Sequence, residues 1–277
     1  MSWKNQLLEM LREDVGKGDV TTAAVFPHGI NVRGTVVAQE AGIAAGVEES
    51  SWLFRNAGLR VQKAARDGQR VKKGGVLLEV EGSAQKVFEA ERTALNLIGR
   101  MGGIAAETAK AVEISRKAGG RARIAATRKT VLKWFDKKAV VLGGGIPHRM
   151  GLYDAVLIKT SHVRLAGGVE KALALAMKGA RGKKIEIEVS TPEEALAAAK
   201  KGADIVMLDN FSHSGIRRAL GLIEGAGLRK KLAIEISGGI NLKNLKKFAR
   251  HGADWISMGC LTHSPKWMQV GMRVSRA

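Results

Sequence analysis

The sequence contains little cysteine, few aromatic residues and no long apolar run. Its one cysteine, Cys260, excludes an internal disulfide and favours a reducing compartment. Aromatic residues make up 4% of the chain, so few side chains are available for stacking on nucleic-acid bases. No run approaches the roughly 20 apolar residues of a membrane-spanning helix, and the charged residues 1–12 lack the apolar core of a signal peptide. We therefore expect a cytoplasmic protein that does not interact with a membrane.

Acidic residues are also scarce relative to basic ones. The 277 residues include 46 Lys and Arg but 26 Asp and Glu, which gives a net charge of +20. Such a charge attracts anions, including phosphorylated metabolites and nucleic acids. The basic residues are spread along the chain, and their pattern does not match a helix-turn-helix or zinc-finger motif. A basic nucleic-acid-binding protein is thus a remote alternative, and we expect no specific nucleic-acid partner.

Apolar runs recur regularly in the second half of the chain. They lie near residues 123–127, 155–159, 185–189, 205–209, 233–237 and 255–258. Helical stretches rich in Ala, Leu and Lys separate most of them, and this alternation predicts parallel βα units. Six units favour an open six-stranded α/β barrel over a complete eight-stranded one. The mixed strand and helix patterns that precede them predict an N-terminal α+β sandwich domain, with domains at residues 1–118 and 119–264.

Two local signals concern the helices. Residues 87–119 form the longest helical pattern, and Gly102-Gly103 within it is expected to break or bend the helix. The segment Thr191-Pro192-Glu193-Glu194 has the order of a capping box with proline at the first helical position, so it predicts a helix start.

Polar residues stand at the end of every predicted barrel strand. They are Arg128 and Lys129, then Lys159, Glu188 and Asp209, then Ser237-Gly238-Gly239 and Gly259. Because the chemistry of α/β barrels takes place where the strands end, this series predicts a site for anions. A barrel without a ligand site has no reason to carry charges at these ends. Glu186, which precedes Glu188 on its strand, is expected to point away from the site or to support it from behind.

Several motifs resemble one enzyme family along nearly the whole chain. They are Glu13-Asp-Val-Gly-Lys-Gly-Asp-Val-Thr-Thr22, Thr127-Arg-Lys-Thr130, Gly143-Gly-Gly-Ile-Pro-His-Arg-Met-Gly-Leu-Tyr-Asp-Ala-Val-Leu-Ile-Lys159, Leu208-Asp-Asn-Phe211, Ser237-Gly-Gly-Ile240 and Gly259-Cys-Leu-Thr-His263. The sequence resembles the quinolinate phosphoribosyltransferase family, also called carboxylating nicotinate-nucleotide pyrophosphorylase. The resemblance implies transfer of the phosphoribosyl group of phosphoribosyl pyrophosphate to quinolinate, with release of pyrophosphate and CO₂. It also implies that residues 265–277 return to the N-terminal domain.

The resemblance implies roles for individual residues. Those expected to hold the two carboxylates of quinolinate are Arg92, Arg128, His148, Arg149 and Lys159, with His162 either beside them or structural. Lys129 is expected at the phosphates, and Ser237, Gly238, Gly239, Gly259 and Cys260 at the 5′-phosphate. Glu188 and Asp209 are expected to hold Mg²⁺, since hard cations prefer oxygen ligands, and to act in catalysis together with Lys129 and Lys159. His213, His251 and His263 are expected to be surface or capping residues.

In this family Arg92 would reach the site of a neighbouring subunit. We therefore expect a homodimer or a larger even-numbered homo-oligomer, in which two copies of the chain build each site between them.

Two departures from the family pattern keep an alternative acceptor open. The family usually has Asp-Asn-His where this chain has Thr160-Ser161-His162, and a Thr-Pro-Gly turn where it has Val131-Leu132-Lys133. Both lie beside the residues expected to hold the acceptor. The alternative is a paralogous phosphoribosyltransferase, of the type associated with molybdate transport, that acts on another acidic or heterocyclic acceptor.

Overall fold

A computed structural model describes residues 2–277, which divide into two compact units. The first unit contains the chain up to Glu107, Trp134–Gly143 and Pro265–Ala277. The second contains Thr108–Lys133 and Gly144–Ser264. Residues 265–277 therefore belong to the first unit, as the family resemblance implies. Residues 134–143, which the sequence analysis placed in the barrel domain, also belong to the first unit.

Among residues 2–277, the first unit contains six strands: β1 (Asn31–Ala38), β2 (Gly42–Ile43), β3 (Arg60–Ala64), β4 (Arg70–Val71), β5 (Val76–Ser83) and β12 (Val270–Arg276). Four of them form an antiparallel sheet with the order β12-β1-β5-β3, and β2 pairs separately with β4. Its helices are α1 (Trp3–Val15), α2 (Val20–Val25), α3 (Val47–Asn56), the first part of α4 (Ala84–Lys117), and α5 (Lys133–Leu142). Val36, Phe54 and Leu78 are fully buried and form part of its apolar core. The predicted α+β sandwich is confirmed.

Ion pairs explain why α5 belongs to the first unit. The guanidinium of Arg100 binds the buried carboxylate of Asp136 with two hydrogen bonds of 2.7 Å. The ammonium of Lys138 lies 2.6 Å from a carboxylate oxygen of Glu48 and 2.6 Å from one of Glu49. Both basic–acidic contacts join α5 to other segments of the first unit. The apolar pattern of α5 resembles that of a barrel helix, so the sequence alone placed it in the wrong domain.

The long helix α4 is continuous, so of the break or bend expected at Gly102-Gly103 the break is wrong. It runs for 34 residues from Ala84 to Lys117. Its glycines instead allow another part of the first unit to lie directly against it. A Cβ atom at Gly103 would lie 1.7 Å from the carbonyl oxygen of Lys266, and one at Gly99 would lie 2.4 Å from the ring of Trp267. These glycines provide room for the segment that contains Lys266 and Trp267. Glycine lowers helix propensity by only a small amount, so the helix remains intact.

The second unit is an open α/β barrel of six parallel strands: β6 (Arg123–Ala125), β7 (Val156–Ile158), β8 (Ile185–Val189), β9 (Ile205–Asp209), β10 (Ala233–Ser237) and β11 (Trp255–Ser257). Their order in the sheet is β6-β11-β10-β9-β8-β7. The helices are α6 (Thr160–Ala166), α7 (Val169–Gly179), α8 (Pro192–Lys201), α9 (His213–Gly225), α10 (Leu245–Ala249) and α11 (Cys260–His263). The predicted fold class is confirmed. On the open side, Ile146 forms a single parallel bridge with Ala125 of β6.

Local sequence signals fix the ends of the barrel elements. The hydroxyl of Thr191 accepts a hydrogen bond from the amide of Glu194 at 3.1 Å, which confirms the predicted start of α8. The repeated order Gly-Ala-Asp before β9 and β11 has a common structural role. The carboxylate of Asp204 accepts the amide of Ile185 at 2.7 Å, and that of Asp254 accepts the amide of Ile234 at 2.7 Å. Each aspartate thereby fixes the first residues of the neighbouring strand.

Across residues 2–277, the helices are either too short or too polar to cross a bilayer.

Candidate active site

A cavity of about 500 Å³ opens at the carboxyl ends of the barrel strands, within the second unit. Most of the residues predicted for the site line it: Arg128, Lys129, His148, Arg149, Lys159, Glu188, Asp209, Ser237, Gly238, Gly239, Gly259 and Cys260. The parallel strands bring them together, because residues that follow successive strands meet at one edge of the sheet. Arg92 lies on α4 and does not line this cavity, and neither does His162.

Four cationic side chains face the cavity. Arg128 and Lys129 follow β6 and are exposed, and neither takes part in an ion pair among residues 2–277. The ammonium of Lys159, at the end of β7, lies 3.0 Å from a carboxylate oxygen of Glu188. Arg149 is half-buried and donates a hydrogen bond of 3.2 Å to the carbonyl oxygen of Ala155. This arrangement concentrates positive charge where a dicarboxylate or a phosphate can enter.

The guanidinium of Arg149 lies in an electrostatically unfavourable place. Burial lowers the pKa of Arg149, and repulsion by Arg128 lowers it further, against the attraction of Glu186, Glu188 and Asp154. The guanidinium stays charged at physiological pH because its ordinary pKa is so high. An anion bound between Arg149 and Arg128 relieves this repulsion.

His148 is held by two carboxylates in the interior of the barrel. Its Nε2 lies 3.1 Å from an oxygen of Glu235 and 3.4 Å from an oxygen of Glu186. Desolvation favours the neutral ring, but these carboxylates outweigh it and raise the pKa of His148 to about 9. Burial raises the pKa of Glu186 to about 7, against the favourable contact with His148. The hydroxyl of Ser257 donates a hydrogen bond to the other oxygen of Glu235.

Of the two alternatives expected for Glu186, pointing away from the site is wrong, and Glu186 instead supports the site from behind through its contact with His148. Side chains two residues apart on a strand point to the same side, so Glu186 and Glu188 both face the barrel interior. Glu186 lies one layer deeper than Glu188 and is 3% exposed.

Glu188 and Asp209 provide the acidic part of the cavity. They end β8 and β9, which pair directly, and both side chains are half-buried. Asp209 accepts a hydrogen bond of 2.9 Å from the side-chain amide of Asn210, whose backbone φ is +57°. Two neighbouring carboxylates fit Mg²⁺, which usually binds one or two protein carboxylates and completes its shell with water and substrate phosphates.

The glycines at the ends of β10 and β11 expose backbone to the cavity. Gly238 has φ +107° and Gly239 has φ +60°, conformations that favour glycine. A Cβ at Gly238 would lie 2.3 Å from the side-chain oxygen of Asn210. At Gly259 a Cβ would approach the ring of His263 to 3.1 Å. The absence of side chains at these positions leaves room for a bulky anion close to the main chain.

Several residues of the site were missed or misplaced from the sequence. His263, expected to be a surface or capping residue, is exposed and also lines the cavity beside Lys129; its position four residues after Gly259 was the available signal for the site. Glu235 and Ser257 also line it, and their alternation with Ser237 and Gly259 could have indicated this.

His162 acts within its own helix. Its Nδ1 accepts a hydrogen bond of 2.9 Å from the backbone amide of Lys159. It therefore caps the first turn of α6, which is the structural role that the sequence left open.

The barrel and its cavity define a class of protein: an α/β-barrel enzyme whose site binds several anionic groups at once. The comparisons with known proteins agree with this class. The N-terminal domain of quinolinate phosphoribosyl transferase matches residues 19–102, and its C-terminal domain matches residues 104–273. The chain belongs to the quinolinate phosphoribosyl transferase family.

Individual relatives match over nearly their whole length. The probable carboxylating nicotinate-nucleotide pyrophosphorylase of Methanothermobacter thermautotrophicus is 39% identical over 269 residues, which cover 96% of each chain. The carboxylating nicotinate-nucleotide pyrophosphorylase of Mycobacterium leprae is 35% identical over 97% of this chain and 96% of the relative. The crystal structure of NadC from Streptococcus pyogenes superposes with a TM-score of 0.90 at 35% identity, covering 99% of this chain and 96% of that one.

Proposed function

We propose that the protein transfers the phosphoribosyl group of phosphoribosyl pyrophosphate to quinolinate, with decarboxylation, to give nicotinate mononucleotide, pyrophosphate and CO₂. The observation that carries the proposal is the composition of the cavity. Cations, two carboxylates and a glycine-lined wall converge in it, and they match a dicarboxylate, a ribose and its phosphates. The full-length similarity to carboxylating nicotinate-nucleotide pyrophosphorylases supports the same reaction. It favours this reaction over that of the paralogue with another acceptor.

The cationic side of the cavity would hold quinolinate. Arginine forks grip carboxylates with paired hydrogen bonds, and Arg128 and Arg149 both line the cavity. Lys159 adds a compact positive charge opposite them. Held in this way, the pyridine nitrogen can be placed against C1′ of the ribose, so that orientation lowers the barrier.

Glu188 and Asp209 would face the ribose. As the bond between C1′ and pyrophosphate breaks, positive charge develops at C1′ and the two carboxylates stabilise it. The pyridine nitrogen forms the new bond to C1′, CO₂ leaves from the neighbouring ring carbon, and that carbon takes up a proton from water. Lys129 and the backbone of Ser237, Gly238 and Gly239 would receive the departing phosphates and the 5′-phosphate.

Mg²⁺ belongs to the proposal as a cofactor, with Glu188 and Asp209 as the residues that would hold it. When bound, it would neutralise charge on the leaving pyrophosphate. The protein's own side chains and backbone would bind quinolinate, stabilise the charge at C1′ and bind the phosphates.

The proposed reaction can be tested directly with the purified protein. Incubation with Mg²⁺, phosphoribosyl pyrophosphate and quinolinate is expected to release pyrophosphate and CO₂ in equal amounts. Nicotinate in place of quinolinate tests the acceptor, since it has no carboxylate beside the ring nitrogen to lose. A nucleotide product with nicotinate or another acid, and none with quinolinate, would establish the alternative acceptor instead.

Asp209→Asn is expected to raise the Mg²⁺ concentration needed for half-maximal activity by roughly tenfold or more, as for other weakened metal sites. The change removes a charge at nearly constant shape. Activity measured against Mg²⁺ concentration checks it. Asp204→Asn is the matched control, because Asp204 precedes the same strand and fixes the amide of Ile185. It should lower thermal stability and leave the Mg²⁺ dependence unchanged; equal Mg²⁺ curves for wild type and Asp209→Asn would contradict the metal assignment.

Arg92 is proposed to complete the site of a second subunit, which makes a homodimer the smallest active form. Arg92 is exposed, and none of the ion pairs among residues 2–277 involves it. Two inactive variants, Arg92→Ala and Lys159→Ala, are expected to complement each other after mixing and refolding. Half of the dimers are then mixed, and each mixed dimer has one intact site, so activity should return to about a quarter of wild type.

The mixing experiment distinguishes a shared site from one within a single chain. If Arg92 served its own chain, every site in a mixed dimer would keep one lesion. An inactive mixture, with subunit exchange confirmed by native mass spectrometry, would rule out the shared site.

A further inference from the structure

A polar layer inside the barrel forms the floor of the cavity, where Glu235 and Ser257 line it. It consists of Glu186 on β8, Glu235 on β10 and Ser257 on β11, which are 3%, 0% and 4% exposed. Each stands two residues before a strand-end residue of the cavity, so its side chain points to the same side, one layer deeper. Barrel interiors are usually filled by branched apolar side chains. Three polar residues at one depth therefore require a partner, and His148 is that partner.

The hydrogen bonds of His148 fix the position of its ring proton. Its Nδ1 accepts a hydrogen bond of 2.8 Å from the backbone amide of Arg149, so Nδ1 offers a lone pair. In a neutral ring Nε2 then carries the proton. In the charged ring that the raised pKa of His148 favours, Nε2 is protonated as well, so in either state Nε2 donates a hydrogen bond to Glu235 at 3.1 Å. His148, Glu186 and Glu235 also have the types and spacing of metal ligands. A metal ion at Nε2 would need a ring without any proton, so the hydrogen bond at Nδ1 favours the proton-bearing ring.

The two glutamates of the layer are not equivalent. Glu235 has one oxygen bonded to Ser257 and the other to His148. Glu186 lies farther from His148, at 3.4 Å, and its Oε1 has no hydrogen-bond partner among residues 2–277. Glu235 is thus the fixed acceptor, and Glu186 is the adaptable one.

The ring of His148 also determines the path of the backbone next to Arg149. His148 has φ +52°, in the left-handed region that few residues other than glycine adopt. Such a conformation persists when surrounding contacts determine it. Here the contacts are Glu235 on one side of the ring, the amide of Arg149 on the other, and Trp255, whose ring meets that of His148 edge-on at 5.8 Å between centroids.

We propose that Glu235 is a positioning residue for the carboxylate-binding part of the site. By accepting a hydrogen bond from Nε2–H, Glu235 holds the His148 ring, and the ring in turn holds the backbone of Arg149 so that its guanidinium faces the acceptor. The inference rests on the proposed function, because it assigns the acceptor's carboxylates to Arg149. It does not involve the residues proposed to bind the phosphoribosyl group.

Glu235→Gln tests this role at nearly constant shape. We expect the dissociation constant of quinolinate to rise about tenfold, the usual effect of losing a charged hydrogen-bond acceptor, while that of phosphoribosyl pyrophosphate changes by less than about twofold. A residue that serves only the stability of the barrel would weaken both ligands together or neither. Equal losses for the two ligands, or an unchanged quinolinate affinity, would overturn the proposal.

Two further variants keep the test decisive. Glu186→Gln lies in the same layer, and it should weaken quinolinate binding less than Glu235→Gln; an equal loss would make the charge of the layer, rather than the Glu235 bond, responsible. If Glu235→Gln does not fold, Ser257→Ala removes one of the two bonds that fix the Glu235 carboxylate. It should cause a smaller loss with the same selectivity for quinolinate, and an unselective loss would count against the proposal.

The ring proton gives a readout that does not depend on the proposed reaction. In protein labelled with ¹⁵N-histidine, the Nε2–H signal of His148, assigned by its absence in His148→Gln, should be present in the wild type. It should shift or exchange away in Glu235→Gln. A wild-type protein that shows this signal and does not bind quinolinate would refute the proposed function and leave the Glu235–His148 contact standing. A signal that is the same in both proteins would refute the contact.

Discussion

Arg149→Ala is expected to raise the dissociation constant of quinolinate by roughly 30-fold to several thousand-fold, which corresponds to about 2–5 kcal/mol for a charged partner removed from a buried pair. Affinity for phosphoribosyl pyrophosphate should change by less than about threefold. Isothermal titration calorimetry with each ligand separately measures both values.

The size of the effect follows from the surroundings of Arg149. Its guanidinium is half-buried, and Arg128 and burial both make its charge unfavourable in the empty cavity. A bound dicarboxylate compensates for both. Truncation removes the paired hydrogen bonds that the guanidinium of Arg149 would give to a carboxylate, and it leaves that carboxylate partly desolvated without a charged partner.

Arg123→Ala is the matched control for the loss of one positive charge. Arg123 begins β6, the strand that delivers Arg128 at its other end, and it is exposed outside the cavity. It should leave both affinities near wild type. If Arg149→Ala weakened quinolinate and phosphoribosyl pyrophosphate to the same extent, Arg149 would not be specific for the carboxylates.

Gly103→Ala is expected to cause the largest loss of stability, about 3 kcal/mol or more, at the upper end for overpacked interiors. The new Cβ would lie 1.7 Å from the carbonyl oxygen of Lys266. Because that atom belongs to the backbone, a change of side-chain rotamer cannot make room. Either α4 or the crossing segment must move by more than an ångström, which disturbs Trp267 and Met268 as well. Urea unfolding followed by circular dichroism measures the change in midpoint.

Gly221→Ala separates this clash from the general effect of alanine in a helix. Gly221 lies in α9, and a Cβ there would meet no atom within 4 Å. The substitution should stabilise the protein by about 0.5–1 kcal/mol, because alanine has the higher helix propensity. A destabilised Gly221→Ala together with a neutral Gly103→Ala would show that the close approach at Lys266 is not present in solution.

Much of the barrel and of the candidate site can be predicted from the sequence. Each strand is a short apolar run, and the residue that follows it must lie at the common edge of a parallel sheet. Lys159, Glu188 and Asp209 were therefore placed correctly from their positions relative to the runs. The Gly-Ala-Asp repeat was visible as well, but its role at the start of the neighbouring strand required the sheet order.

The remaining features depend on contacts between distant segments. In the sequence Glu235 follows apolar residues, as expected of a strand residue. Its buried carboxylate is explained only by its contact with His148, which lies in a turn on the open side of the barrel. The helix α5 carries an apolar face like that of any barrel helix, and the carboxylates that bind Lys138 lie 90 and 89 residues away in the sequence. Gly103 was interpreted as a weak point of α4, because a single sequence does not reveal which segment crosses a helix.

The position of β12 in the first unit has a consequence for how the protein folds during translation. β12 pairs with β1 along seven residues, from Val32 with Arg276 to Ala38 with Val270, so β1 receives this neighbour from a segment that is translated much later. All six barrel strands emerge in between. The barrel can thus assemble while the first unit still presents an unpaired strand edge, of the kind that attracts other chains. This edge of β1 stays unpaired until β12 has been translated, so the first unit is the second of the two to be completed.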